Sequence, residues 1–251
     1  MTQALVLGRR ALREGIRTPE AIVPTLFIPL FFLVVNVGQA AKIFPGSTTD
    51  FLHGQGYGAF QLPSSMLLAA SFGSAALFLV EEIEGGYFDK LRATPVPRSA
   101  IVVGRLIAEG VKGLLIASLI VLLGLIFGIT IASGVLGFVL LVLLTALWAV
   151  VYSGFMQIIA LKTRSAAATN SAGLVFFPLV FLTPNFVPRN LLTRPMEIAA
   201  TVNPVTYVME ALRSLILVDL HWETIGLGFL VVVVAGAVML ALSVRVIRNY
   251  D

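Results

Sequence analysis

GVLGFVLLVLLTALWAVVYSGFMQIIAL, residues 134–161, contains no charged side chain. An α-helix rises 1.5 Å per residue, so about 20 apolar residues cross the hydrocarbon layer of a bilayer. A stretch this long and this uniformly apolar is a membrane span, not the buried helix of a soluble core. Five further stretches read the same way, 20–39, 58–80, 113–132, 166–187 and 224–244, and none carries a charge in its middle. The sequence therefore predicts an all-α membrane protein with six transmembrane helices in one domain, 1–251. Ion-coupled transporters keep an ionisable residue near mid-membrane. Its absence from all six stretches implies that the energy for any transport comes from outside the chain.

Composition agrees. The chain of 251 residues is 58% hydrophobic and 12% charged, against about 25% charged for a soluble domain. Six spans use nearly half of it and leave no room for a separate soluble domain. Cysteine is absent, which excludes a disulfide framework, a thiolate metal site and a cysteine nucleophile. The first long apolar run starts near Ala21 and is followed by no small-residue cleavage site, so no cleavable signal peptide is expected.

The net charge of +4 does not make a nucleic-acid surface, because the basic residues segregate by loop. Arg9, Arg10, Arg13 and Arg17 precede the first span; Lys90, Arg92, Arg98, Arg105 and Lys112 lie between the second and third. Lys162 and Arg164 join the fourth to the fifth, and Arg245 and Arg248 follow the last. Only Lys42, Arg189, Arg194 and Arg213 fall on the other side. The positive-inside rule then places both termini in the cytoplasm, consistent with six crossings.

Within segment 1–19, residues 3–17 form a candidate amphipathic helix. Leu5, Gly8, Leu12, Gly15 and Ile16 share one face and the four arginines the other. It is expected in the membrane interface with its basic side toward lipid headgroups or a partner, or as a simple basic anchor. In the second span Gln61, Ser64, Ser71 and Ser74 recur at near-helical spacing. Such a stripe faces protein or water, so it reads either as helix packing through small residues or as a substrate path. Gly124 and Gly128 form a GxxxG, a weak sign of helix contact. The short link near Ser133–Gly134 makes spans three and four an antiparallel hairpin. Pro178, Pro184 and Pro188 are expected to kink the fifth span and break it as it leaves the membrane.

Segment 189–223 is too polar to span and too apolar for a free loop. Asn203 suits an N-cap and Pro204 the first helical position. Val205, Val208, Met209, Leu212, Leu215 and Ile216 follow at helical spacing, with Thr206, Glu210 and Arg213 off that face. The expectation is an amphipathic helix in the outer leaflet or on the outer rim of the bundle, with Glu210 paired to Arg213.

Catalytic motifs are missing. None of Lys42, Lys90, Lys112 and Lys162 lies in a phosphate-binding loop. His53 and His221 are the only histidines and fall in external segments. The acidic group Glu81, Glu82, Glu84 and Asp89 is mixed with Lys90 and Arg92, which suggests a solvated or docking helix and no metal site. No cofactor is expected on this chain.

The most specific stretch is EIEGGYFDKLRATPVPR, residues 82–98. It resembles the cytoplasmic loop of type-2 ABC exporter membrane subunits, in particular the daunorubicin-resistance type of drug-export permease. That family's pattern is roughly Glu-Arg-Glu-x-Gly-Thr-x-Glu-x-Leu-x-x-Thr-Pro-Val-x-Arg. Glu82, Glu84, Gly86, Asp89, Leu91, Thr94, Pro95, Val96 and Arg98 match or keep the chemistry; Ile83 and Tyr87 depart from it. A second match, NPVTYVMEALR at 203–213, places Asn203, Pro204, Tyr207, Glu210 and Arg213 on the family's signature before the last span.

The resemblance implies a permease without its own ATP site. A separate ATPase chain, two copies with their ATP and Mg, would drive it, and two permease copies, a homodimer in the simplest case, would form the path. Loop 81–98, with Arg92 included, would hold the coupling helix that docks on the ATPase, and the 3–17 helix with Arg9, Arg10, Arg13 and Arg17 would be the connecting helix beside it. Cargo would move by alternating access between the second and fifth spans, past Gln61, Ser64, Ser71, Ser74, Phe177 and Phe181, in a prokaryotic cell (inner) membrane. Charge-free spans suit an apolar or amphipathic compound such as a drug, antibiotic or lipid. A polysaccharide or glycolipid exporter of the same architecture is the alternative; a secondary transporter or channel is a more distant one.

Overall fold

The computed structural model describes residues 2–72 and 75–250. Among them the regular structure is entirely helical. Four helices are long and apolar enough to cross a membrane: α2 (Pro19–Ala40, apolar from Val23), α6 (Arg98–Ile126), α7 (Gly134–Thr163) and α12 (Trp222–Arg248). They correspond to the expected spans 20–39, 113–132, 134–161 and 224–244. The chain is a multi-pass membrane protein.

The other two expected spans are not continuous helices. Segment 58–80 divides into α3 (Tyr57–Ala70) and α4 (Ala75–Glu84). Segment 166–187 divides into α8 (Ala166–Gly173) and α9 (Phe176–Phe181). The second break has a local cause. Pro178 has no N–H to give to Leu174, and its ring crowds the carbonyl four residues back, so α8 ends just before that carbonyl. The break comes well inside the expected span and not only at its exit. In the first segment Ser71 turns its hydroxyl back to the Leu67 carbonyl at 2.8 Å, competing with the helix ladder at the point where α3 stops.

Helix α6 begins well before the expected span, and its first half carries Arg98, Arg105, Glu109 and Lys112. That half is covered by α1 (Thr2–Arg17). A Cβ on Gly8 would lie 2.9 Å from the Gly104 carbonyl oxygen, and one on Gly104 would lie 2.8 Å from the Ala4 oxygen. Only glycine lets the two backbones approach this closely. The docked edge of α1 is thus Gly8 and Gly15, while Leu5, expected on the same face, is exposed. The GxxxG divides: Gly124 packs against Leu62, whereas Gly128 lies beyond the helix at φ +86° in the turn to α7.

Helix α11 (Pro204–Leu217) corrects a second expectation. It is not a rim helix. Val205, Val208, Met209, Leu212, Leu215 and Ile216 are buried, and so are Thr206 and Arg213 from the supposed outer face. It packs between α3, α7 and α12, and at Gly228 helix α12 closes onto the Tyr207 carbonyl and the Ala211 side chain. Its C-terminal carbonyls accept Ala132 N–H, Ser133 N–H and the Gln55 side chain, pinning the α6–α7 turn. The remaining described helices are α5 (Tyr87–Arg92), α10 (Arg194–Val202) and two single 3-10 turns, Asp50–Leu52 and Arg189–Leu191. Large apolar side chains point away from the core along α2 (Phe27, Val34), α7 (Val135, Val139) and α12 (Leu230, Val234), as lipid-facing helices require.

Candidate coupling surface and transport path

One end of the bundle gathers α1, the end of α4, α5, the α7–α8 joint and the end of α12. Glu82, in the last turn of α4, is buried there, unlike the solvated carboxylate expected. Arg10 of α1 donates to its Oε1 at 2.8 Å, and Arg105 of α6 pairs with Oε2. Arg10 also lies 4.2 Å from the centre of the Tyr87 ring. One carboxylate thus ties three helices together and is not presented to a partner. Of the other α1 arginines, Arg9, Arg13 and Arg17 are exposed.

After Glu84, Gly86 adopts φ +72° and starts α5. A left-handed residue reverses the chain sharply, and glycine does so without Cβ strain. Helix α5 buries Phe88 and leaves Tyr87, Asp89 and Lys90 facing outward, and Glu84 at the end of α4 is exposed as well. Arg92 bridges to Asp89 at 3.2 Å, and Thr94 closes the helix by donating to the Leu91 carbonyl. Leu91 sits beside Leu7, Ile101 and Arg105. Thr94 and Pro95 are exposed. Arg98 turns toward the carbonyls that end α12.

The polar stripe of α3 serves more than one purpose. Gln61 is fully enclosed, donating to the Tyr57 hydroxyl at 2.8 Å and the Asn185 carbonyl at 3.0 Å. It is a packing residue. Ser64 lies against the Met209 sulfur and, with Asn36, Phe177, Phe181 and Asn185, lines a narrow cleft between α2, α3 and α9. Ser71 accepts from Trp148 Nε1 at 3.0 Å and lines a cavity of about 470 Å³ with Phe177, Thr25, Tyr152 and Asn170. Ser64, Ser71, Phe177 and Phe181 are therefore brought to adjoining openings, and Gln61 is not. Ser74 lies outside the described residues. Tyr152 and Asn170 escaped notice in the sequence: α7 is apolar on every side, so no periodicity marks the face carrying Tyr152.

At the opposite end, Asn203 caps α11 as expected, accepting from Val205 N–H at 3.0 Å, and its amide reaches the Leu179 carbonyl. Tyr207 donates to the Thr201 carbonyl at 2.7 Å. Glu210 does not pair with Arg213. It takes both ends of Arg189, at 2.8 and 3.0 Å. Arg213 instead donates to the carbonyls of Phe60, Pro184 and Asn185 and stacks 3.7 Å from the Phe60 ring. The non-helical segment after α9 leaves carbonyls without ladder partners, and a planar five-donor guanidinium is suited to collect them. His53 and His221 line one cavity of about 290 Å³ beside Arg189, Glu210 and Arg213.

The chain thus combines a bundle of helices able to span a membrane with a short charged helix at its basic end. The ABC-2 type transporter family profile matches residues 2–217, and the chain belongs to that family. It is 25% identical over 244 residues to the daunorubicin resistance ABC transporter permease protein DrrB1 of Streptomyces coeruleorubidus, covering 96% of this chain and 84% of that protein. Over 219 residues it is 22% identical to the protein named "Probable doxorubicin resistance ABC transporter permease protein DrrC" of Mycobacterium tuberculosis, covering 85% and 76%. Membership makes it the membrane subunit of a transporter and implies a partner ATPase.

Proposed function

We propose that this chain is the permease of an ATP-driven exporter that moves apolar or amphipathic compounds out of the cytoplasm or inner leaflet. In this reading α3–α4 and α8–α9 are two broken crossings that complete six, and the basic end faces the cytoplasm with both termini. Two copies, with two ATPase subunits carrying ATP and Mg, form the working unit. Glu84 at the end of α4 and the face of α5 with Asp89 and Lys90, followed by Thr94 and Pro95, meet the ATPase. Glu82 acts behind it, passing force to α1 and α6. Cargo passes beside Ser64, Ser71, Phe177 and Phe181.

One observation carries this reading: a short helix launched by the left-handed Gly86, charged outward, and tied through Arg10 and Glu82 to two further helices. A force on α5 is delivered to the bundle because a buried ion pair resists separation. The cavity of about 470 Å³, walled mainly by phenylalanine, tyrosine, leucine and methionine with few polar groups, suits a part-apolar cargo. The test is transport into inverted membrane vesicles containing the chain and its partner ATPase, with doxorubicin as fluorescent cargo. ATP-dependent uptake that needs both chains is the expected result. Uptake by the permease alone, or no uptake with both chains present, overturns the proposal.

A further inference from the structure

The residue on which the basic end converges lies outside both sequence motifs. Tyr250, just beyond α12, is almost fully buried at 6% exposure. Its ring meets Phe88 of α5 edge-on, with centroids 5.1 Å apart. The guanidinium groups of Arg92 and Arg164 lie 4.7 and 4.2 Å from its centre. Its carbonyl accepts from Arg92 at 2.6 Å and from Arg98 at 3.1 Å, and Arg98 also holds the Arg248 carbonyl at 3.0 Å. Both the ring and the backbone of one residue are gripped by α5, by the start of α6 and by the α7–α8 joint.

The joint is the part that gives this cluster a direction. Arg164 ends α7 in a left-handed conformation, φ +51°, and Ser165 next to it caps α8. Helix α8 and its continuation supply Asn170, Ser171, Gly173, Leu174, Phe176 and Phe177 to the cavity of about 470 Å³. A displacement of α5 therefore has a contiguous route: Phe88 and Arg92 to Tyr250, Tyr250 to Arg164, Arg164 to the hinge of α8, and α8 to the cavity wall. Aromatic edge contacts and cation–π contacts keep their strength only at close range, so the ring transmits motion while it stays seated.

We propose that Tyr250 is a positioning residue that couples α5 to the cavity-lining helix α8. Its transport consequence rests on the reading of α5 as the ATPase-facing helix; the mechanical link does not. The hydroxyl makes no part of the argument, so phenylalanine serves in place of tyrosine and alanine does not.

The test has two arms. In the first, the purified permease, which has no cysteine of its own, carries spin labels at Lys90→Cys and Ala167→Cys, both at exposed positions. Electron-spin distance measurement should give one narrow distribution with Tyr250 or Tyr250→Phe and a clearly broader one with Tyr250→Ala. Equal widths in all three overturn the link. In the second arm, permease and ATPase are assayed together for cargo moved per ATP hydrolysed. Tyr250→Ala should lower that ratio about fivefold while hydrolysis continues, and Tyr250→Phe should restore it. An unchanged ratio, or a phenylalanine variant as impaired as alanine, refutes the coupling role. Should Tyr250→Ala fail to accumulate, Arg164→Gln, at an exposed position, must show the same broadening and the same loss, or the proposal fails. Absence of ATP-driven transport in the unaltered complex would count against the proposed function and leave the distance measurement to decide the link.

Discussion

Replacing Glu82 by Gln tests the bridge that joins α1, α4 and α6. The two arginines on this carboxylate are unequal. Arg10 is 41% exposed at its side chain and Arg105 only 7%. Water screens the first pair, which is worth about 0–1 kcal/mol. The second joins the carboxylate to a buried guanidinium, and breaking such a pair costs about 3–5 kcal/mol. Glutamine keeps one oxygen as an acceptor and recovers part of that. The expected destabilisation is about 2–3 kcal/mol, and it should fall by at least about 1 kcal/mol when Arg105 is changed to Met in the same chain, because the buried cation facing the altered side chain is then gone. The assay is equilibrium unfolding of the purified permease in detergent for wild type, both single variants and the double. Additive effects, with the double variant as destabilised as the two singles together, would refute the reasoning.

Gly86→Ala puts a side chain on a left-handed residue with open space around it. The cost should be about 1–2 kcal/mol of backbone strain, and thermal unfolding should show Gly86→Asn to be milder; equal stability of all three chains would mean that the turn relaxes freely. Gly104→Val drives a branched side chain into the Ala4 carbonyl and Leu7, so α1 should lift from α6. A cysteine at Leu7 should then react with maleimide several-fold faster, and an unchanged rate would deny the close crossing. Arg213→Lys keeps the charge but loses the fork that reaches three carbonyls. At about 1.5–3 kcal/mol per charged hydrogen bond, unfolding should show it lowered by several kcal/mol, nearly as far as Arg213→Leu; a neutral substitution would show that the carbonyls have other partners.

The parts of the fold that could be read from the chain were those fixed by neighbours a few residues away. The apolar runs of α2, α6, α7 and α12 declare themselves because crossing a bilayer needs only length and composition. The Asn203 cap and Pro204 at the first helical turn were legible for the same reason, since the donor that Asn203 satisfies is two residues along. Pro178 announced a break, though its place, one turn earlier than the loop, depended on the carbonyl of Leu174. The motif at 82–98 contains the short charged helix α5, and Gly86, which starts it, stands at a positive φ.

Tertiary structure decided the partners. Glu82 looked solvated because its arginines are 72 and 23 positions away. Glu210 was matched to Arg213 by helical spacing, yet Glu210 takes a bidentate Arg189 and Arg213 reaches the carbonyls of Pro184 and Asn185 after α9 and of Phe60 in α3, and together these outweigh a contact along one helix. Helix α11 has an amphipathic pattern but is surrounded on all sides, and no local rule says that another helix will cover its polar face. Tyr250 carries no sequence signal at all. An aromatic residue beside a basic helix end is ordinary in isolation, and its significance arises only when α5, α6 and the α7–α8 joint are folded against it. Sequence determined which segments enter the membrane, because solvation of the backbone and side chains is a local free energy. The arrangement of their polar groups required the fold, because hydrogen bonds and ion pairs form between whatever groups packing brings within reach.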